Sequence, residues 1–143
     1  MMRAMIALLA VSLMEGAPTS LMTVYKTATC GCCAKWVDMA KAAGFRVKVV
    51  EVPSTAAARS SAGIKEKYAS CHTAIIDGYA IEGHVPIADI QRLLKEKPKA
   101  KGLAVPGMPM GSPGMEGPYK EAYSVLLITA DGSSVFQQYA GSR

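Results

Sequence analysis

No apolar run in this sequence is long enough to cross a bilayer as a mature helix. The longest, residues 4–14, falls well short of the about 20 residues that a span requires. No dense basic stripe accompanies the net charge of +5. Lys and Arg are scattered from Lys26 to Arg143, and the single cluster (Lys95, Lys97, Lys99 and Lys101) follows a helical segment whose dipole it complements, which argues against nucleic-acid binding. No cysteines are spread along the chain to staple distant segments, as a disulfide framework would need. All four sit in two places, Cys30, Cys32 and Cys33 and then Cys71. No internal repeat is present, and 143 residues leave no room for a second comfortable core. With 50% of residues hydrophobic, a core can form and global disorder is excluded.

What is present begins with an export-type segment, MMRAMIALLAVSLMEGAPTS. Arg3 supplies the positive start and residues 4–14 an apolar stretch of the right length. A clean A-x-A cleavage site is missing, because Glu15 takes the −3 position for a cut after Ala17. Residues 1–20 are therefore expected to be a signal peptide, the alternative being a helical N-terminal extension. Export would place the protein in the periplasm, with no stable membrane insertion after processing.

Beyond residue 20 the periodicities alternate. Residues 21–27 read as a buried strand. Residues 32–43 read as a helix whose apolar side is Trp36, Val37, Met39 and Ala40, stopped by Gly44. Residues 45–52 alternate as a strand, and Ser54 or Thr55 can cap a second helix to about Tyr68 that Gly63 divides. Asp77-Gly78 between two short β-prone runs predicts a hairpin. Pro86 opens a further helix that Pro98 ends. The resulting order, β-α-β-α-β-β-α, is the glutaredoxin-like core of an α/β, thioredoxin-like fold. From residue 102 the run GLAVPGMPMGSPGMEGP is too rich in Gly, Pro and Met for a regular element. Two final strands, residues 123–129 and 134–139, flank Asp131-Gly132. Loop and hairpin are expected to form an extension packed on the core, completing one metal-binding domain over residues 21–143.

The chemistry lies in Thr29-Cys30-Gly31-Cys32-Cys33, between the first strand and first helix. Cys30 and Cys33 have the C-x-x-C redox spacing, and a helix N-terminus lowers thiol pKa. Thiolates serve equally as nucleophiles and as metal ligands. Cys32 tips the balance, since a third thiol gives an oxidoreductase competing disulfides, whereas soft Cu(I) accepts additional bridging sulfurs. Residues 32 and 33 point about 100° apart on a helix, so the sulfurs can fan around several ions.

Laid on the glutaredoxin pattern, His72 takes the place usually held by the cis-proline that faces the C-x-x-C motif. Cys71-His72 would then set two more ligands against the cysteines, and His84, in Gly83-His84-Val85-Pro86, lies near the same edge. Nine methionines is a high count. Met108, Met110 and Met115 fall in the Gly/Pro loop, where core periodicity does not explain them and thioether sulfur suits Cu(I); the bland alternative is an adaptable lid. Met39 reads as core. Zinc bound by Cys30, Cys33, Cys71 and His72 ranks below copper, because it explains neither Cys32 nor the methionines.

Three separated segments, TVYKTATCGCCAKWVDMAKAAGF, SCHTAIIDGYAIEGHVPIADIQRLL and GLAVPGMPMGSPGME, resemble the CopG-type copper-resistance family, formerly catalogued as a domain of unknown function. The resemblance covers roughly residues 22–140. It implies a thioredoxin-like fold, a periplasmic location, and copper held through cysteine, in a multinuclear cluster. The matching positions are Cys30, Cys32, Cys33, Cys71, His72, His84 and the loop methionines. Family members often carry His near the position of Met39, and Met is a poor Cu(II) ligand, so redox cycling of copper is less firmly implied. The expected function is copper binding for resistance, with a copper exporter or another periplasmic carrier as partner. The runner-up is a thiol-disulfide oxidoreductase using Cys30 and Cys33. A structural domain bridged Cys30–Cys33 and Cys32–Cys71 ranks last.

Overall fold

The computed structural model describes residues 20–143, so the expected signal peptide lies outside the described residues except for Ser20. Seven strands form one sheet: β1 (Leu21–Lys26), β2 (Arg46–Glu51), β3 (Thr73–Ile76), β4 (Tyr79–Glu82), β5 (Gly102–Ala104), β6 (Tyr123–Thr129) and β7 (Gly132–Tyr139). Three helices join them, α1 (Gly31–Ala42), α2 (Ala56–Ser61) and α3 (Ile87–Glu96), with a 3₁₀ turn at Glu66–Tyr68. The sheet order is β2-β1-β3-β4-β5-β6-β7. β1 runs parallel to β2 and antiparallel to β3, and β3 runs antiparallel to β4. Among the described residues no helix is long and apolar enough to cross a membrane.

Alternation along the strands divides the core between the two faces of the sheet. Met22, Val24, Ile81 and Leu103 meet Trp36, Val37 and Ala40 of α1 and Ile90 and Leu93 of α3. Ala80, Ala104 and Ile128 face the other way, toward Ile64 and Tyr68 beside α2. Full burial of each large aliphatic side chain contributes roughly 2 kcal/mol, which makes the α1/α3 face the main source of stability. Trp36 also donates its indole N–H to the Val85 carbonyl at 2.8 Å, tying α1 to the turn that opens α3.

The expected hairpin is present, with Asp77 and Gly78 both at positive φ (49° and 80°), the two-residue turn that matches strand twist. The second helix is indeed divided at Gly63: α2 ends at Ser61, and the 3₁₀ turn ends at Tyr68. Two expectations need correction. The Gly/Pro/Met run begins with a regular element, because residues 102–104 form β5 between β4 and β6. The final hairpin therefore continues the sheet edge to edge rather than packing on a finished core. Met39 is not on the buried side of α1: the buried set is Cys33, Trp36, Val37 and Ala40, at i, i+3, i+4 and i+7, which leaves Met39 39% exposed. It lines a cleft of about 400 Å³ with Pro86, Pro113, Glu116 and Tyr139.

Candidate metal centre

The first motif lies where β1 ends and α1 begins, with Cys30 as N-cap and Cys32 and Cys33 in the first turn. Cys30 contributes no side-chain cap, so its sulfur is directed away from the orphan N–H groups of the helix and toward the other thiols. Cys30 and Cys33 are joined in a disulfide, and Cys32 and Cys71 are free thiols. The motif is thus in its oxidised form. Of the two bridges in the structural alternative, Cys30–Cys33 is made and Cys32–Cys71 is not.

Residues 70–72 bring the second cluster to the first. The sulfurs of Cys30, Cys32, Cys33 and Cys71 all lie within 4.8 Å of one another. One ligand atom each from Cys71, His72 and His84 meets the same limit, so Cys71 belongs to both groups. The Cys32 thiol is 3.5 Å from the Cys30 sulfur. All of the expected cysteine and histidine positions therefore meet at one end of the sheet.

The two imidazoles are held differently. His84 is buried, with Nδ1 2.7 Å from the Pro113 carbonyl and Nε2 2.9 Å from the Cys71 sulfur. A carbonyl only accepts, so Nδ1 carries the hydrogen and Nε2 turns its lone pair to the thiol. A backbone acceptor fixing the tautomer in this way is the usual support for a metal-ligating histidine. His72 is fully buried, stacked against Trp36 with ring centroids 4.4 Å apart and edge-on to His84 at 5.1 Å. Its Nε2 has no hydrogen-bond partner. A buried nitrogen left without a partner is costly unless something fills the role, and a soft cation suits a lone pair beside sulfur.

Burial pushes His72 down to about 3, helped by the neighbouring His84, and burial likewise lowers His84. Burial pushes the Cys71 thiol up to about 11, with Cys32 beside it acting in the same direction. Near neutral pH the centre is therefore two neutral imidazoles and a protonated Cys71, and a metal ion would displace the thiol proton.

The 105–122 loop covers this end through its backbone. A Cβ at Gly114 would stand 2.7 Å from the Cys32 carbonyl oxygen and 3.1 Å from His84 Nδ1, so only glycine allows that approach. The Gly114 N–H donates to the Glu116 carboxylate, which holds that carboxyl below its usual range. Met110 and Met115 are half-buried, and Met110 places its sulfur against Gly117, whereas Met108 is 50% exposed.

Sequence reasoning missed the frame beneath the candidate ligands. Glu82, fully buried in β4, accepts from Arg59 Nε at 3.0 Å, from the Ser70 N–H at 2.9 Å and from Thr73 Oγ1 at 2.5 Å. These bonds pin both sides of Cys71-His72. Arg59 also reaches Thr55 and Glu66. The Ser70 hydroxyl donates to the Gly107 carbonyl, joining this frame to the covering loop.

Four sulfurs and two imidazoles converging at one end of a mixed α/β sheet define a protein with a candidate thiolate–imidazole metal centre. Residues 68–115 match the family described as protein of unknown function, DUF411. No curated protein matches the chain. It is similar to two solved structures of the copper resistance protein copG, form 1 and form 2. Identity is 44% and 43%, and the TM-score is 0.79 for both. The matches cover 85% and 84% of this chain and 98% of each of those. At that identity and coverage, the chain belongs to the CopG family of copper resistance proteins.

Proposed function

We propose that this protein binds copper as Cu(I) for copper resistance, holding several ions through Cys30, Cys32, Cys33, Cys71, His72 and His84, with Met108, Met110 and Met115 of the loop as further soft ligands. The observation that carries this reading is the pair of clusters sharing Cys71, each with its ligand atoms within 4.8 Å. Zinc would be content with four ligands, whereas six or more soft donors suit Cu(I) and bridging thiolates. The orphaned Nε2 of His72 and the fixed tautomer of His84 support it further. In this reading the core is thioredoxin-like: the β2-β1-β3-β4 order and strand directions agree with that fold, and α1 carries its cysteines at the corresponding end. Residues 1–20 direct export, residues 21–143 work in the periplasm, and copper passes to an exporter or another copper carrier. Closing the Cys30–Cys33 disulfide from its two thiols releases two protons and two electrons, which reduce two Cu(II) ions to Cu(I).

The test is anaerobic loading of the reduced protein with Cu(I), and separately with Zn(II), followed by desalting and elemental analysis. More than one copper retained per chain, with sharp loss in Cys32→Ser, is the expected result. Retention of a single zinc and no copper would replace this reading with a structural zinc site.

One observation favours a second reading. Cys30 and Cys33 are already bridged at a helix N-terminus, as in a thiol-disulfide oxidoreductase. Insulin reduction that depends on Cys30 and Cys33 and ignores Cys32 would move that activity to first place.

A further inference from the structure

The lysines at 95, 97, 99 and 101 take no part in the centre described above. Strand directions fix where they lie. β1 runs toward Cys30, β4 and β5 run the same way, and α3 runs back from the turn that follows His84. Lys95 in the last turn of α3, Lys97 as its C-cap, and Lys99 and Lys101 just before β5 therefore stand at the end of the sheet opposite the sulfurs. Their backbone is pinned. The Tyr79 hydroxyl donates to the Pro98 carbonyl at 2.6 Å, the Lys101 N–H to the Ile128 carbonyl at 2.7 Å, and the Ala80 N–H to the Lys101 carbonyl at 2.8 Å. The side chains are not. All four are exposed, and among the described residues none is in an ion pair.

The dipole of α3 accounts for part of the row only, because its influence fades within the last turn, and Lys99 and Lys101 lie beyond it. Carboxylates share this end without cancelling the row. Glu96 is held by Arg92 at 3.3 Å, and Asp38 stands one helical turn from Lys41 on α1, where the two offset each other. Asp77 and Asp131 remain, each in a hairpin turn, while Arg46 adds positive charge at the start of β2. A pinned row of unpaired cations fits a surface of anions.

The course of the chain says which surface. β1 begins at this same end with Leu21, paired with Arg46 and 44% exposed. Only residues 15–20 separate Leu21 from the apolar run 4–14, a reach of at most about 20 Å. On the export reading above, that run enters a bilayer, which brings the lysine end within reach of the headgroups.

We propose that the lysine end is a peripheral docking surface for an anionic bilayer, held by lipid headgroups without insertion, which turns the sulfur–imidazole end away from the membrane. The docking is electrostatic and needs no metal, so it stands or falls apart from the copper reading. A lysine close to an anionic leaflet strengthens binding about fivefold.

The test sediments metal-free full-length protein with vesicles of phosphatidylcholine alone, and of phosphatidylcholine mixed with phosphatidylglycerol. Any hold through residues 4–14 appears with both, so the docking is the increment that phosphatidylglycerol adds. That increment should reach at least about a hundredfold at low salt and vanish at about 1 M salt, where screening acts within about 3 Å. Lys97→Gln combined with Lys99→Gln should reduce it about 25-fold, with an unchanged urea midpoint. Lys35→Gln combined with Lys120→Gln, outside the lysine row, should leave it within about twofold of wild type. Equal sedimentation with both vesicles, or a Lys97/Lys99 variant that matches wild type, would overturn the proposal. So would an equal loss in the Lys35/Lys120 variant, which would mean that net charge acts without a defined face. Duplex DNA binding that requires Lys97 and Lys99, with no phosphatidylglycerol increment, would assign the surface to nucleic acid instead.

Discussion

His72 is fully buried, and that burial moves its proton equilibrium far below the ordinary range. The folded protein keeps it neutral down to about pH 3, while an unfolded chain takes up the proton near 6.5. Between those values the unfolded state binds more protons, so stability rises with pH. The contribution is complete above about pH 6.5 and is lost as pH falls toward 3, at about 1.4 kcal/mol per pH unit. For the metal-free protein, the urea midpoint is expected to drop between pH 7 and pH 5. His72→Phe, which preserves the stacking on Trp36, should flatten that dependence. Cys71 makes the complementary prediction. Its thiol stays protonated up to about pH 11, so under the proposed function Cu(I) would expel that proton at every lower pH. Apparent copper affinity should climb about tenfold per pH unit for each proton displaced, as read by chelator competition between pH 6 and 8. Both histidines and all four cysteines were legible in the sequence, because residue type and spacing carry their chemistry.

At the scale of elements, the candidate ligands are held by parts with no motif of their own. Glu82 sits in a short strand after a sharp turn, where a carboxylate reads as solvent-facing. Its burial depends on Arg59 arriving from α2, a contact 23 residues distant that no local pattern announces. Glu82→Gln strips the charge from the pair while Arg59 remains buried, and breaking such a pair costs about 3–5 kcal/mol. Urea unfolding should show that loss, and copper affinity should fall with it because Ser70 and Thr73 lose their shared acceptor. Strand β5 escaped notice for a different reason. Three residues within a Gly/Pro/Met run have no period to detect, and they become a strand because β4 and β6 bond them on both sides. The covering loop shows the same dependence on context. Its methionines drew attention, yet the Pro113 carbonyl and the Gly114 backbone are what approach His84 and Cys32. Gly114→Val adds a side chain where φ is +90° and the Cys32 carbonyl and His84 ring leave no room. It should cost about 1–3 kcal/mol of stability and weaken copper binding at least tenfold, by moving the acceptor that orients His84.

For the whole molecule, the state of one bond decides how much of the centre is available. With Cys30 and Cys33 bridged, two of the four sulfurs are committed to each other, leaving Cys32 and Cys71 with the two imidazoles. Reduction returns those sulfurs at the N-terminus of a helix that the main core holds in place through Trp36 and Val37, so the ligand frame survives the change. A ligand that binds only the folded form stabilises it by mass action, about 4 kcal/mol when free ligand exceeds Kd a thousandfold. For a chain of this size that corresponds to a rise in Tm of roughly 10 °C. Anaerobic Cu(I) should therefore raise the Tm of the reduced protein by about that amount, and of the oxidised protein by much less, with at least half the bound copper lost on oxidation. Equal stabilisation of both forms would mean that Cys30 and Cys33 contribute nothing to copper. The metal would then rest on Cys32, Cys71, His72 and His84 alone, and the C-x-x-C pair would be free for chemistry of its own.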